Sequence, residues 1–163
     1  MRQKREDITG VRLMDKRITE ALAYDDVLLV PQYSDIRTRA EIDLTSDMGN
    51  DVALSAPIIS SPMDTITEIK MATAMDSHGM AGIIHRYNSP EVQREMVYKV
   101  HSSGARNVGA AIGITGDYLE RAELTIGAGA NIICVDVAHG QHLLMQQAIK
   151  NLRANFPDIH IMA

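Results

Sequence analysis

The sequence predicts an α/β fold built on a parallel sheet, and three observations carry that prediction. Five short apolar runs, residues 56–60, 80–85, 108–114, 132–137 and 159–163, are rich in Val, Ile, Leu and Ala and bounded by Gly, Pro or Ser, as buried strands are. Their apolar residues stand at successive rather than alternate positions, a pattern that belongs to a sheet covered on both faces. Between the runs lie stretches of helical period, so that strand and helix alternate at intervals of roughly 23 to 28 residues, close to the minimum for a βαβ crossover. Two forms satisfy this alternation: a doubly wound open sheet, complete in about this length, and a (β/α)8 barrel, which typically needs about 250 residues. The pattern alone favours the open sheet.

Taken in order, residues 1–20 read as a polar tail. Val27-Leu28-Leu29-Val30-Pro31 is an apolar run halted by proline, and residues 34–50 are polar with few order-forming signals. After the first strand, Thr65 and Glu68 stand at capping-box spacing ahead of the stripe Ile69, Ala72, Met75, which Gly79 closes. Ser89 and Pro90 open the second helix in the N-cap and first-turn positions each favours, and Val92, Met96 and Val100 form its stripe before Gly104. Asp117 and Glu120 repeat the capping spacing in front of Leu119, Ala122 and Ile126, with Gly127 and Gly129 as stop signals. The fourth helix is expected over about residues 141–156, with Leu144, Ala148 and Leu152 on one face and Pro157 at its end. The fifth run stops at Ile161-Met162-Ala163 with no loop behind it, and a parallel strand delivers its functional loop at that end. The expectation is a cut inside a larger domain.

Composition narrows the function. The 163 residues are 45% hydrophobic and 23% charged, as in an ordinary globular chain, and no segment approaches the roughly 18 consecutive apolar residues of a spanning helix. Residues 1–7 mix both charges without an apolar run behind them, so no secretory signal is read and a cytoplasmic location is expected. A single cysteine, Cys134, excludes an internal disulfide framework and a multi-cysteine zinc site. The formal charge of −5 argues against nucleic acid and leaves a small molecule as the expected partner.

Four motifs bear on chemistry, each with a plainer alternative. Ser60-Ser61-Pro62-Met63-Asp64 follows the first strand, where α/β folds place their chemistry, yet it also suits a simple strand-to-helix turn with Met63 filling core. In Val135-Asp136-Val137-Ala138-His139-Gly140, an acid straight after an apolar run is placed to take a ribose diol through its two carboxylate oxygens. Asp136 as a helix or backbone cap is the alternative, and His139 reads as a general base or as a polar turn residue. Gly109-Ala110-Ala111-Ile112-Gly113 lacks the order of a phosphate loop and lies within a strand, so close approach of neighbouring layers explains it better. Cys134 sits in an apolar run with nothing basic beside it, which makes it a small hydrophobe rather than a nucleophile.

Together with Tyr24-Asp25-Asp26-Val27-Leu28-Leu29-Val30-Pro31 and Gly82-Ile83-Ile84-His85-Arg86, three of these motifs, Ser60-Ser61-Pro62-Met63-Asp64-Thr65, Gly109 to Gly113 and Asp136 to Gly140, stand in an order and spacing that resembles the IMP dehydrogenase/GMP reductase family over about residues 21–163. The resemblance implies a (β/α)8 (TIM) barrel of which only about the first four to five strands are present. It implies a 21–163 domain interrupted in strand five, just before a Gly-Asn pair that this sequence lacks.

Roles carried over by the resemblance fall on named residues. Ser61 and Met63 match positions that contact the purine nucleotide, IMP or GMP. Asp136, Val137 and Ala138 match the segment lining the nicotinamide site, for NAD or alternatively NADP. Arg86 aligns with a lysine that GMP reductases use near the cofactor phosphates. Thr38 and Arg39 align with a pair that reaches the cofactor of a neighbouring subunit, since family members are typically tetramers. The family's catalytic cysteine, on the loop after the sixth strand and often ordered by potassium, has no counterpart here, so no catalytic residue is assigned and the missing C-terminal barrel half is the implied partner. Ser60-Ser61-Pro62, Ile84-His85-Arg86 and His139 look like IMP dehydrogenase, whereas Val137 and the lack of a CBS insertion between Ser89 and Asn107 look like GMP reductase. Residues at the strand ends decide for the dehydrogenase; GMP reductase and a non-catalytic nucleotide- or protein-binding half-barrel remain the alternatives.

Overall fold

The computed structural model describes residues 21–163; the tail expected over 1–20 lies outside the described residues. The chain divides into two units, with residues 21–41 belonging to the first and Ile42–Ala163 forming the second. In the first, 3₁₀ turns at Tyr24–Asp26 and Arg39–Glu41 are closed by local side chains. The Asp26 carboxylate accepts the Ala23 N–H at 2.9 Å, and the Glu41 carboxylate accepts the Arg37 N–H at 3.3 Å.

The second unit opens with a hairpin of β1 (Ser46–Asp47) and β2 (Ala53–Leu54). Strands β3 (Ile59–Ser60), β4 (Ala81–Ile84), β5 (Val108–Ile112), β6 (Ile132–Val135) and β7 (His160–Met162) follow. They alternate with helices α1 (Ile69–Ser77), α2 (Pro90–Ser102), α3 (Tyr118–Gly127) and α4 (Leu143–Asn155). All five later strands are parallel and pair in chain order, β3-β4-β5-β6-β7. This corrects the reading that the pattern alone favoured. A doubly wound sheet reverses its order at a switch point and carries helices on both faces, whereas here the order never reverses.

Register and burial show the one-sidedness directly. Ile84, Val108, Ala110, Ile112, Ile133 and Val135 pack with residues from all four helices, Ala72, Val97, Ala122 and Leu152 among them. The opposite face carries Ala81, Ile83, Ala111 and Ile132, with Ile59, Cys134 and Met162 beside them, and it meets Val52 and Leu54 of the hairpin region instead. The runs are apolar at successive positions because both faces are covered, one by helices and the other in part by the hairpin. The hairpin is fixed at the N-terminal ends of the strands. Asn107 donates to the Ala53 carbonyl at 3.0 Å, and the Asn50 amide donates to the carbonyls of Asp158 and Ile159 at 3.2 and 3.0 Å.

Helix boundaries follow local chemistry, with corrections. Ser89 caps α2 as expected, its hydroxyl accepting the Val92 N–H at 3.3 Å. Thr65 does not cap α1: Glu68 takes the N-cap position without a side-chain bond, and the buried residue of the turn is Thr67. Asp117 stands at the N-cap of α3 but caps nothing, because its carboxylate is drawn to Arg121 at 2.8 Å. His142 caps α4 by accepting the Leu144 N–H at 3.1 Å, so that helix starts at Leu143 and buries Met145 rather than Leu144. In α2 the buried side chains are Gln93, Val97 and Val100, and Val92 faces outward. The expected stripes otherwise hold, with Ala72, Val100, Ala122, Ala148 and Leu152 buried as read, and the departures fall in the first turns of α2 and α4, where Gln93 and Met145 rather than Val92 and Leu144 turn inward.

Candidate functional site

Because the strands are parallel, their C-terminal ends share one rim. Ser61 follows β3, His85 and Arg86 follow β4, Gly113 follows β5, and Asp136 to Ala138 follow β6. The Asp136 N–H donates to the Ile112 carbonyl at 2.9 Å and extends the ladder one residue beyond β6.

At the β3 end, the Thr67 hydroxyl lies 2.6 Å from the Ser61 carbonyl and 2.9 Å from the Ser60 hydroxyl. A hydroxyl has one proton to give, so Thr67 donates to the carbonyl and accepts from Ser60. That buried bond ties the turn to the start of α1 and leaves the Ser61 side chain exposed. Met63 is 48% exposed, so it does not fill core, as the plainer reading had it.

At the β4 end, His85 is buried and its Nδ1 accepts the Tyr87 N–H at 3.2 Å. In the neutral ring the proton then sits on Nε2, 3.5 Å from the Glu68 carboxylate. Arg86 reaches past the end of β5 to β6. Its Nη2 donates to the Asp136 carbonyl at 3.0 Å and its Nε lies 3.6 Å from Asp136 Oδ2. Among the described residues Nε is buried without a hydrogen-bond partner, so the carboxylate contact is ionic and longer than a hydrogen bond. Both side chains are about a third exposed (33% and 32%), which keeps the contribution of the pair to stability small. Gly113 lies under the guanidinium: a Cβ there would stand 3.6 Å from Arg86 Nη1. Tyr87 adds its ring 5.7 Å from the same cation.

Of the expected site residues, the rim brings together Ser61, Met63, Arg86, Asp136, Val137 and Ala138, and only Arg86 and Asp136 among them touch through polar atoms. Val137 packs on the core while Ala138 is exposed. His139 is exposed and gives its carbonyl to the His142 N–H, the position of a turn residue beside the α4 cap. Thr38 and Arg39 lie in the first unit, where the Thr38 carbonyl accepts the Glu41 N–H at 3.1 Å. Sequence reasoning passed over Thr67, Gln93 and Arg121, and read Glu68 only as part of a capping box. Their signal was a polar residue where a helix turns toward the sheet.

Cys134 points to the hairpin side of the sheet, and burial, with a smaller push from Asp136, raises its thiol pKa to about 11. Iodoacetamide is therefore expected to modify the folded chain slowly at pH 7.5, with the rate climbing only as pH approaches that value; a break near the free-thiol value of about 8.5 would contradict this. The raised pKa adds stability that is complete below the unfolded thiol's pKa and is lost as pH rises toward about 11.

At the rim the structure sets one carboxylate, one guanidinium and a glycine side by side. A family model described as the IMP dehydrogenase / GMP reductase domain matches residues 21–163. The inosine-5'-monophosphate dehydrogenase of Nitrosopumilus maritimus is 46% identical over 86 residues, covering 53% of this chain and 18% of that protein. The inosine-5'-monophosphate dehydrogenase of Borreliella burgdorferi is 29% identical over 200 residues, covering 92% of this chain and 49% of that protein. The GMP reductase of Leishmania donovani is 43% identical over 83 residues, covering 51% of this chain and 17% of that protein. This chain spans less than half the length of each of the three. With a family match that runs through both of its units, the chain belongs to the IMP dehydrogenase / GMP reductase family.

Proposed function

We propose that the chain supplies the N-terminal strands of a (β/α)8 barrel in a purine-nucleotide oxidoreductase, IMP dehydrogenase being the favoured branch. The observation that carries this reading is the Arg86–Asp136 pair laid over Gly113 at the C-terminal rim, where α/β barrels place their sites. Asp136 Oδ2 faces Arg86, and its other oxygen remains for a ribose hydroxyl; Arg86 offers charge to a dinucleotide phosphate. Asp136, Val137 and Ala138 then line the nicotinamide end, and Ser61 and Met63 meet the purine nucleotide. The bound dinucleotide supplies hydride acceptance or donation. Thr38 and Arg39 serve a neighbouring subunit of a tetramer, and a potassium ion belongs to the loop beyond these strands. The C-terminal half of the barrel is the proposed partner, and among the described residues β3 and β7 each offer it a strand edge.

Calorimetry with NAD, NADP, IMP and GMP tests the reading. Asp136→Ala is expected to weaken dinucleotide binding about tenfold, the size of one lost charge-assisted hydrogen bond. Equal affinity in the wild type and the variant would remove Asp136 from the site. The chain by itself is expected to turn over neither IMP nor GMP, because its one thiol is half-buried and stays protonated. Turnover that Cys134→Ser abolishes would overturn that assignment. GMP reductase is the second reading, favoured by Val137 after Asp136 and by the Leishmania relative. A preference for NADP with GMP over NAD with IMP decides for it.

A further inference from the structure

We infer that Gln93 is a positioning residue for the rim: its buried amide, held by Arg121, sets the ends of β4 and β5 so that Arg86 reaches across Gly113 to Asp136. The inference rests on the dinucleotide site proposed above and names a residue outside it.

Gln93 lies in the first turn of α2 and is fully buried. An amide in that place is unfavourable unless its polar atoms are satisfied, and here its hydrogens and its oxygen are all used. Nε2 donates to the Ile84 carbonyl at 3.2 Å and to the Ala111 carbonyl at 2.8 Å, while Oε1 accepts from Arg121 Nη1 at 3.1 Å. The paired register of β4 and β5 ends at Ile84↔Ala110. Where the strands part, one side chain bridges their carbonyls and fixes the gap between them. Arg86 comes two residues after Ile84, and Gly113 two after Ala111, so both parts of the crossing start from a carbonyl that Gln93 holds.

Arg121 secures the far side of the same loop. Its Nη2 donates to the Asn88 carbonyl at 3.0 Å and to Asp117 Oδ2 at 2.8 Å. Arg86 is thus bracketed, with the carbonyl at 84 held by Gln93 and that at 88 held by Arg121. A leucine would fill this space without demanding three partners, but it would leave the two strand ends free to move.

The test uses Gln93→Met, which keeps length and loses every hydrogen bond, Arg86→Ala, and the double variant, all in the full chain. Arg86 Nε is buried, so its N–H is expected to give a slowly exchanging NMR resonance in the wild type. Gln93→Met is expected to speed that exchange while the chain still unfolds cooperatively. It is also expected to weaken NAD or NADP binding about tenfold, and the double variant should bind no more weakly than Arg86→Ala alone, because a residue acting through another is not additive with it. An Arg86 resonance that stays protected in Gln93→Met, or losses that add in the double variant, would overturn the inference. If Gln93→Met fails to fold, Gln93→Glu, which keeps an acceptor for Arg121 and loses both donors, is read by the same resonance. Loss of protection in a chain that binds neither dinucleotide upholds the positioning of Arg86 and sinks the proposed function instead.

Discussion

Replacing Gly82 with alanine is expected to lower the stability of the chain by about 3 kcal/mol in urea unfolding, although the change adds only one methyl group. The reason is where the methyl would go. A Cβ at Gly82 would stand 2.7 Å from the Ala72 Cα and 3.1 Å from the Ala72 Cβ and the Ser60 hydroxyl. The first of these is helix backbone, so α1 as a whole has to back away from β4. Gly113 supplies the contrast: the same methyl there meets nothing closer than Arg86 Nη1 at 3.6 Å, its φ lies outside the left-handed region, and alanine there restricts the unfolded chain. Gly113→Ala is accordingly expected to change stability by less than about 1 kcal/mol. Equal unfolding midpoints for the two variants would show that α1 yields without strain. Ala72→Gly should rescue Gly82→Ala only in part, because it removes the second contact and leaves the first. Displacing α1 also moves Thr67, whose hydroxyl fixes the Ser61 carbonyl, so the stability loss reaches the rim.

The sequence made only part of this close packing legible. The expectation that small residues over 109–113 let layers approach is not met at Gly109, where the crowding comes from Ile83 of the neighbouring strand, and the close approach of helix to sheet falls at Gly82, which was not singled out for it. The three inner strands, β4, β5 and β6, were readable because each is a compact, largely buried apolar run with a helix before and after it, whereas β3 and β7 are short and half-buried and have one helix beside them along the chain. The hairpin from Ser46 to Leu54 was not readable. Its strands are two residues each, and its turn places Asn50 and Asp51 at positive φ (50° and 60°), a conformation that their side chains tolerate without advertising it. What anchors it is distant: Asn50 is 108 residues from Asp158 along the chain.

The choice between an open sheet and a one-sided sheet was also beyond the pattern, since both alternate strand and helix. Only the order of pairing and the side on which helices lie separate them. Those depend on the crossovers, to which local periodicity is blind. At the rim, position was legible and contact was not. An acid after an apolar run announced that Asp136 ends a strand, yet nothing local announced that Arg86, 50 residues earlier, would lie across Gly113 onto it. Gln93 and Arg121 were hidden for a further reason: polar residues on helices read as solvent-facing, and these are buried because they take strand-end and loop carbonyls that no ladder satisfies.

The second large effect is expected at Arg121, where substitution by methionine should cost about 4 kcal/mol, near the upper end for breaking a buried, hydrogen-bonded charge. Arg121 is 6% exposed, and its guanidinium holds Gln93 Oε1, the Asn88 carbonyl and Asp117 Oδ2. These partners will not suffer equally. Asp117 is 44% exposed and regains water when the cation goes, so Asp117→Asn should cost less than about 1 kcal/mol. Gln93 is fully buried and cannot, and the Asn88 side-chain oxygen is already buried without a partner, so a further orphan acceptor falls in a region with no spare donor. Lysine keeps the charge but not the planar fork whose two amino groups serve three acceptors at once, and Arg121→Lys should therefore fall between methionine and wild type. Urea unfolding of the three variants orders them. A loss at Arg121→Met no larger than at Asp117→Asn would mean that the guanidinium contributes only its exposed ion pair, and the buried network would then hold neither helix to the strand ends.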